Sequence, residues 1–394
     1  MGTSAVVSRA LRLIAAGALD SGNVEDLADR VGLGARHLRR LFVLHLGASP
    51  VRIAITRRVH FAQNLIADTD LPITDLAACA GFRSLRQFNH AIRSITGESP
   101  SQLRRQRGLP APSRKPDLLI RLPYRPPFHW TALLDFLTSR AIEGVELIQN
   151  GIYRRTVEID GVTGIISVEH DEAQKQLIAN LELSRYDPLM IVVERVRRMF
   201  DLTADPLQIA EHLSQDPRLG PLVSSGPGLR VPGVWDGFEA TVRAILGEGL
   251  TNRPGKPALV RFARAYGKPI QQPARGLTHM FPLPRDVAQA NLESADIPSR
   301  PADAIRAVAA AILTGNLTFQ AGPNLEEVVD RFQSIRGVGS QAAQYIAMRA
   351  FGEPDAFPSV SHELGEPTET WRPWRAYAAM HLWHSARSSY QLRV

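Results

Sequence analysis

Apolar positions in the first hundred residues recur in two copies of one pattern. Leu27-Ala28 and Gly32-Leu33 return as Leu76-Ala77 and Gly81-Phe82. After one inserted residue, Leu38, Phe42, Gly47 and Ser49-Pro50 return as Phe88, Ile92, Gly97 and Ser99-Pro100. Each copy predicts a short amphipathic helix (24–31; 74–80), a glycine-containing turn, and a second helix whose apolar residues lie three and four apart, a spacing that gathers them on one face. That succession is helix-turn-helix grammar. The apolar-rich segment 53–66 predicts one helix joining the copies.

The pattern then changes twice. Residues 108–116 read GLPAPSRKP, with three prolines and no apolar period, so 108–117 is expected to be a linker after a first module of residues 1–107. Segments 118–122, 144–148, 153–159 and 164–168 read as short strands, several alternating, broken by glycine and aspartate turns. Residues 118–187 are therefore expected to form a small antiparallel sheet with a helix or two. From Pro188 the period is helical over 190–200, 207–213, 235–246, 302–313, 325–334, 341–350 and 374–383, giving a helical part over 188–386. The expected fold is mainly α with a small α+β part.

Charge sharpens this division. Residues 1–107 hold 15 arginines and no lysine against 8 acidic residues, while the rest of the chain has 31 basic and 31 acidic residues. The whole excess of +7 thus sits in the first module, the footprint of a phosphate-binding surface or, on the plainer reading, of a solvated face. One cysteine, Cys79, allows neither a disulfide framework nor a cysteine-based zinc cluster; it reads as a small buried apolar residue. No apolar run is long enough to span a membrane and no signal-peptide pattern opens the chain, so a cytoplasmic, nucleoid-associated location is expected. No cofactor or side-chain metal site is expected.

The outward face of each second helix carries the chemistry of the first module. Arg36, His37, Arg39 and Arg40 lie on one copy, and Arg83, Ser84, Arg86, Gln87 and Asn89 on the other. Arginine can bridge guanine and Gln or Asn can bridge adenine, and a helix fits the major groove. The alternative is a small bundle with solvated arginines. With its paired Gly-x-Ser-Pro endings, the segment 8–105 resembles the DNA-binding domain of the AraC/XylS regulators. This implies double-stranded operator DNA as partner and RNA polymerase as a further one.

In the second part, Phe332–Arg349 reads FQSIRGVGSQAAQYIAMR, a helix, a Gly337-Val338-Gly339 turn and another helix. Such a turn can bring backbone N–H groups to a phosphate, although helical connections often use glycine for packing alone. Together with GLRVPGVWDGFEATVRAILG at 228–247, Asp355-Ala356-Phe357-Pro358 and WRPWRAYAAMHLW at 371–383, it resembles 3-methyladenine DNA glycosylase II of the helix-hairpin-helix glycosylases. The combination is similar to the fused adaptive-response proteins of bacteria, without their cysteine-rich methyl-acceptor domain.

The resemblance implies base flipping, with Leu229 as the apolar wedge and Tyr345 and Trp383 as pocket aromatics. Core packing is the alternative for both aromatics. It also implies an aspartate three residues after Asp-Ala-Phe-Pro, and here that residue is Ser361. Gln341 stands where the family commonly has a pocket tryptophan, and Glu248-Gly249 where it has a glutamine-rich stretch. The interval from Ser361 to Trp371 is short for the family. Glu363 is the candidate substitute carboxylate, with Asp355, Glu366 and Glu369 also near in sequence. The expectation is a regulator whose glycosylase-like part binds operator or alkylated DNA with impaired chemistry; the alternative is a bifunctional regulator and active glycosylase using Glu363.

Overall fold

The structure, a computed structural model, describes residues 3–15, 17–106, 118–247, 255–274, 276–319, 324–358 and 369–391. The expected linker, Ser361 and Glu363 lie outside these residues.

The amino-terminal part is all helical: α1 (Thr3–Ala15), α2 (Ala18–Ser21), α3 (Val24–Arg30), α4 (Ala35–Leu46), α5 (Pro50–Asp68), α6 (Ile73–Cys79), α7 (Leu85–Thr96) and α8 (Pro100–Gln106). Asn23 opens α3 with a capping box, its side chain accepting from Asp26 N at 2.8 Å. Ser49 caps α5 and Pro50 fills its first turn, so the joining helix starts before its apolar run does. Cys79 is buried, and desolvation pushes its thiol up to about 12, which leaves it inert.

Five strands follow: β1 (Leu118–Pro123), β2 (Glu146–Gln149), β3 (Ile152–Ile159), β4 (Val162–Asp171) and β5 (Gln176–Leu183), with α9 (Trp130–Arg140) between β1 and β2. They form one antiparallel sheet in the order β1-β5-β4-β3-β2. The remainder comprises α10 (Leu189–Met199), α11 (Pro206–Leu213), α12 (Gly220–Ser225), α13 (Gly237–Ile245), α14 (Gly255–Tyr266), α15 (Pro284–Val287), α16 (Ser299–Leu313), α17 (Leu325–Gln333), α18 (Ser340–Ile346) and α19 (Arg375–Gln391). Helices α12, α14 and α15 lie where the sequence expectation had none, and two further departures occur here. A hairpin of β6 (Pro269–Ala274) and β7 (Leu277–His279) interrupts the helices, and α18 is followed by a π-helical turn over Ala347–Phe351.

Buried apolar side chains fall into two clusters whose boundary lies inside α5. Val7, Leu13, Leu27, Leu38, Phe42 and Ala54 belong to one cluster, centred on the first helix-turn-helix copy. Val59, Leu65, Leu76, Phe88 and Ile92 belong to the other, which continues through the sheet to α19. The second copy therefore packs on the sheet part: Arg121 of β1 pairs with Asp68 of α5 at 2.7 Å, and Met190 of α10 lies beneath Gly81. Among the described residues no helix is long and apolar enough to cross a membrane.

Deep between sheet and bundle lies a charged cluster. Glu239 of α13 accepts from Arg155 Nη2 at 2.7 Å and from Arg243 Nε at 3.1 Å and Nη2 at 2.8 Å. Arg243 also pairs with Glu146, which accepts the Tyr153 hydroxyl at 2.7 Å and Ile142 N at 3.0 Å. Burial alone would push the Glu239 carboxyl up, but the two guanidinium groups more than reverse this and hold it at about 2.

Candidate nucleic-acid interface and base pocket

In α4 the buried residues Leu38, Leu41 and Phe42 form one stripe, and in α7 Phe88, Ala91 and Ile92 form its counterpart. This leaves Arg36, His37, Arg39 and Arg40 exposed on α4, and Arg83, Ser84, Arg86, Gln87 and Asn89 exposed at the start of α7. Two of these side chains have partners within the protein. Arg39 Nη2 donates to Glu25 Oε1 of α3 at 2.7 Å, a solvent-facing pair of small worth that DNA can replace. The Ser84 hydroxyl accepts from Gln87 N at 3.2 Å and so caps α7.

The hairpin joins α17 to α18. Gly337 has φ of 98°, and a Cβ there would lie 3.0 Å from that of Ala304, so both its backbone and its neighbour demand glycine. Val338 is buried, its N–H donating to Ile335 O at 3.0 Å, whereas Gly339 is exposed and caps α18. Gln341, one turn before Tyr345 on the same helix, is exposed, so the described geometry does not gather it with the aromatic residues.

Tyr345 and Trp383 are both buried, and a residue missed by the sequence reading, Phe136 of α9, stands with them. Its ring stacks on Trp383 with centroids 6.0 Å apart and planes at 15°. The Arg140 guanidinium covers Phe136 at 3.9 Å, and Arg349 lies 5.0 Å from the same ring. Arg349 also donates to the Tyr345 hydroxyl at 2.7 Å and to Gly233 O at 3.0 Å. The aromatic faces are thus occupied by one another and by arginine. A gap of about 10 Å³ beside Arg140, Gly233 and Arg349 belongs to the charged cluster, with Glu146, Arg155, Glu239 and Arg243 in its wall and none of Phe136, Tyr345 or Trp383.

Leu229 is 6 % exposed. Its loop is held on several sides. Gly228 has φ of 80°, and a Cβ there would strike Pro127 C at 2.6 Å. Arg230 donates to the carbonyls of Arg125, Pro127 and Ala204. Val231 N and the Tyr377 hydroxyl donate to Asp201 Oδ2 at 3.1 and 2.8 Å.

Burial of Asp201 raises its carboxyl from 3.8 to about 6, against the opposing pull of Tyr377, Arg230 and Val231 N. A carboxyl whose pKa is raised on folding stabilises the native state only while protonated, and that contribution is lost as pH climbs through the folded value. Asp201→Asn, which keeps an acceptor for both donors, is expected to gain stability over the unsubstituted chain between about pH 4 and about pH 7, by up to about 3 kcal/mol. Urea melts of both proteins across that range would show the difference growing; a difference that ignores pH would refute the assignment.

Of the carboxylates near the expected catalytic position, Asp355 pairs with Arg375 at 2.7 Å and Arg372 at 2.9 Å, and Glu369 pairs with Arg372 at 2.8 Å.

A repeated helix-turn-helix that presents arginines, an antiparallel sheet, and a helical bundle holding a glycine hairpin beside an aromatic cluster together define a helix-turn-helix module fused to a glycosylase fold. Residues 27–106 match the helix-turn-helix domain family, and residues 119–236 match the AlkA N-terminal domain family. The chain is 35% identical over 399 residues to a probable bifunctional transcriptional activator/DNA repair enzyme AlkA of Mycobacterium tuberculosis, covering 96% of this chain and 80% of that protein. It therefore belongs to the family of bifunctional AlkA-type transcriptional activator/DNA repair enzymes. Over 67% of its length it is 29% identical to the DNA-3-methyladenine glycosylase 2 of Escherichia coli, 96% of which is covered. The solved 3-methyladenine DNA-glycosylase of Archaeoglobus fulgidus aligns with 68% of this chain and 98% of its own at TM-score 0.58 and 16% identity, a likeness of fold.

Proposed function

We propose that this chain is a sequence-specific, DNA-binding transcription regulator of the alkylation-damage response whose glycosylase-like part binds DNA with impaired base excision. The reading is carried by the two exposed arginine faces at matching positions of the repeat, each on a helix that also buries an apolar stripe. Two such helices joined through α5 suit successive major grooves, and RNA polymerase is the further partner that regulation implies. The hairpin adds phosphate contacts without sequence preference, and release of Leu229 from its buried seat would supply the wedge. Impairment follows from Ser361, since a hydroxyl offers no negative charge to the sugar cation.

Arg86→Ala is expected to weaken binding to a selected operator by about 1–3 kcal/mol while leaving non-specific DNA affinity little changed. Fluorescence anisotropy on operator DNA recovered from a random pool by the protein itself would measure both. Equal affinity of variant and parent for the operator would place Arg86 on a solvated face. The second reading, an active glycosylase using Glu363, draws support from the dual activity in the name of the Mycobacterium tuberculosis relative and from the ease with which cationic alkylated bases leave.

A further inference from the structure

One face of the five-stranded sheet builds the core, through Tyr153, Ile166, Val168, Ala179 and Leu181. Strand alternation sends the intervening side chains to the other face, where they line a concavity of about 300 Å³. The register sets Arg154, Ser167 and Asn180 in one row across β3, β4 and β5. Ile152, Ile165 and Ile178 flank that row, and Leu277 of the β6–β7 hairpin adds to the lining.

Two polar groups in this row are unsatisfied. Arg154 is only 9 % exposed, yet among the described residues it has no hydrogen-bond or ion-pair partner. Asn180 Oδ1 is buried without a donor. The Asn180 oxygen is unpaired and out of water, a cost that a ligand donor would recover, and the Arg154 guanidinium is left free to meet an anion at the mouth of the concavity. By contrast Arg155, its neighbour on the core face of the same strand, is matched by Glu239.

We propose that the concavity binds a small, elongated monocarboxylate. Its carboxylate meets the Arg154 fork, an N–H or O–H donor meets Asn180 Oδ1, and an apolar body lies on the three isoleucines. Glu169 and Glu182, exposed among the lining residues, repel a doubly charged phosphate and disfavour nucleic acid. The volume is at the lower end for small-molecule sites, and the backbones of Arg154 and Asn180 are two strand spacings apart, roughly 10 Å, which sets the length of the ligand.

The site lies close to the DNA-reading module. β1 is the edge strand beside β5, Arg121 of β1 stands opposite Ile178 in the register, and Arg121 holds Asp68 of α5. A ligand seated on Ile178 is thus one strand from the helix that joins the two helix-turn-helix copies, where an effector would act. Binding itself does not depend on the proposed regulatory role.

The test is calorimetric titration of the full chain, without DNA, with indole-3-acetate as probe and with indole and inorganic phosphate as comparisons. Saturable one-to-one binding of indole-3-acetate is expected, with indole weaker by about tenfold or more and with Arg154→Met and Asn180→Leu each weakening the probe by about tenfold. Arg154→Met removes an unpaired charge and is expected to fold; if it does not, Asn180→Leu carries the test. Absence of saturable probe binding, affinity unaltered by either folded variant, or preference for phosphate would each overturn the proposal.

Discussion

Ser361→Asp is expected to raise release of 3-methyladenine from methylated duplex DNA by a hundredfold or more, on the order of what a correctly placed acid or base contributes. Cleavage of the glycosidic bond leaves positive charge on the sugar, and a fixed carboxylate at that point stabilises the charge and orients water. The unsubstituted chain has a serine there, and its described neighbours Asp355 and Glu369 are already tied to arginines. Chromatography of the freed base from parent, Ser361→Asp and Glu363→Gln proteins checks this directly. An active parent that loses activity in Glu363→Gln without unfolding would show that a relocated carboxylate carries the chemistry.

Glu239→Gln is expected to destabilise the fold by about 3–5 kcal/mol, the usual cost of removing one partner from a buried ion pair. The amide retains the shape but leaves Arg155 and Arg243 to share Glu146, with two cations buried around a single anion. Because the Glu239 carboxyl is depressed to about 2 from 4.5 in an unfolded chain, its contribution is complete above the unfolded value and is lost as pH falls through the folded one. Urea midpoints should therefore differ by a constant amount at neutral pH and converge in acid. A variant as stable as its parent at neutral pH would mean that the cluster is replaceable by packing.

Local periodicity made the helix-turn-helix pair and most of the later helices readable from the chain, since each buries one stripe at a regular spacing. Other elements failed for identifiable reasons. Strand β6 reads PIQQPA, and two prolines argue against a strand unless it lies at an edge, as this hairpin does. Strand β5 contains Ala179 and Asn180, which dilute its apolar alternation. Phe136 reads as ordinary core because α9 is apolar on much of its surface; only the tertiary fold sets its ring against Trp383. Arg155 and Glu239 are far apart in sequence, and no local pattern announces that they will meet. Tyr345 and Trp383 were singled out through resemblance alone, while the arginines that cover the neighbouring ring were not singled out at all.

The boundary between the two apolar clusters inside α5 has a consequence for the history of the chain. The second helix-turn-helix copy shares its apolar core with the sheet and bundle, so substitutions that loosen that core are expected to disturb DNA reading as well. Selection acting on either half of the chain would therefore act as well on the walls the two hold in common.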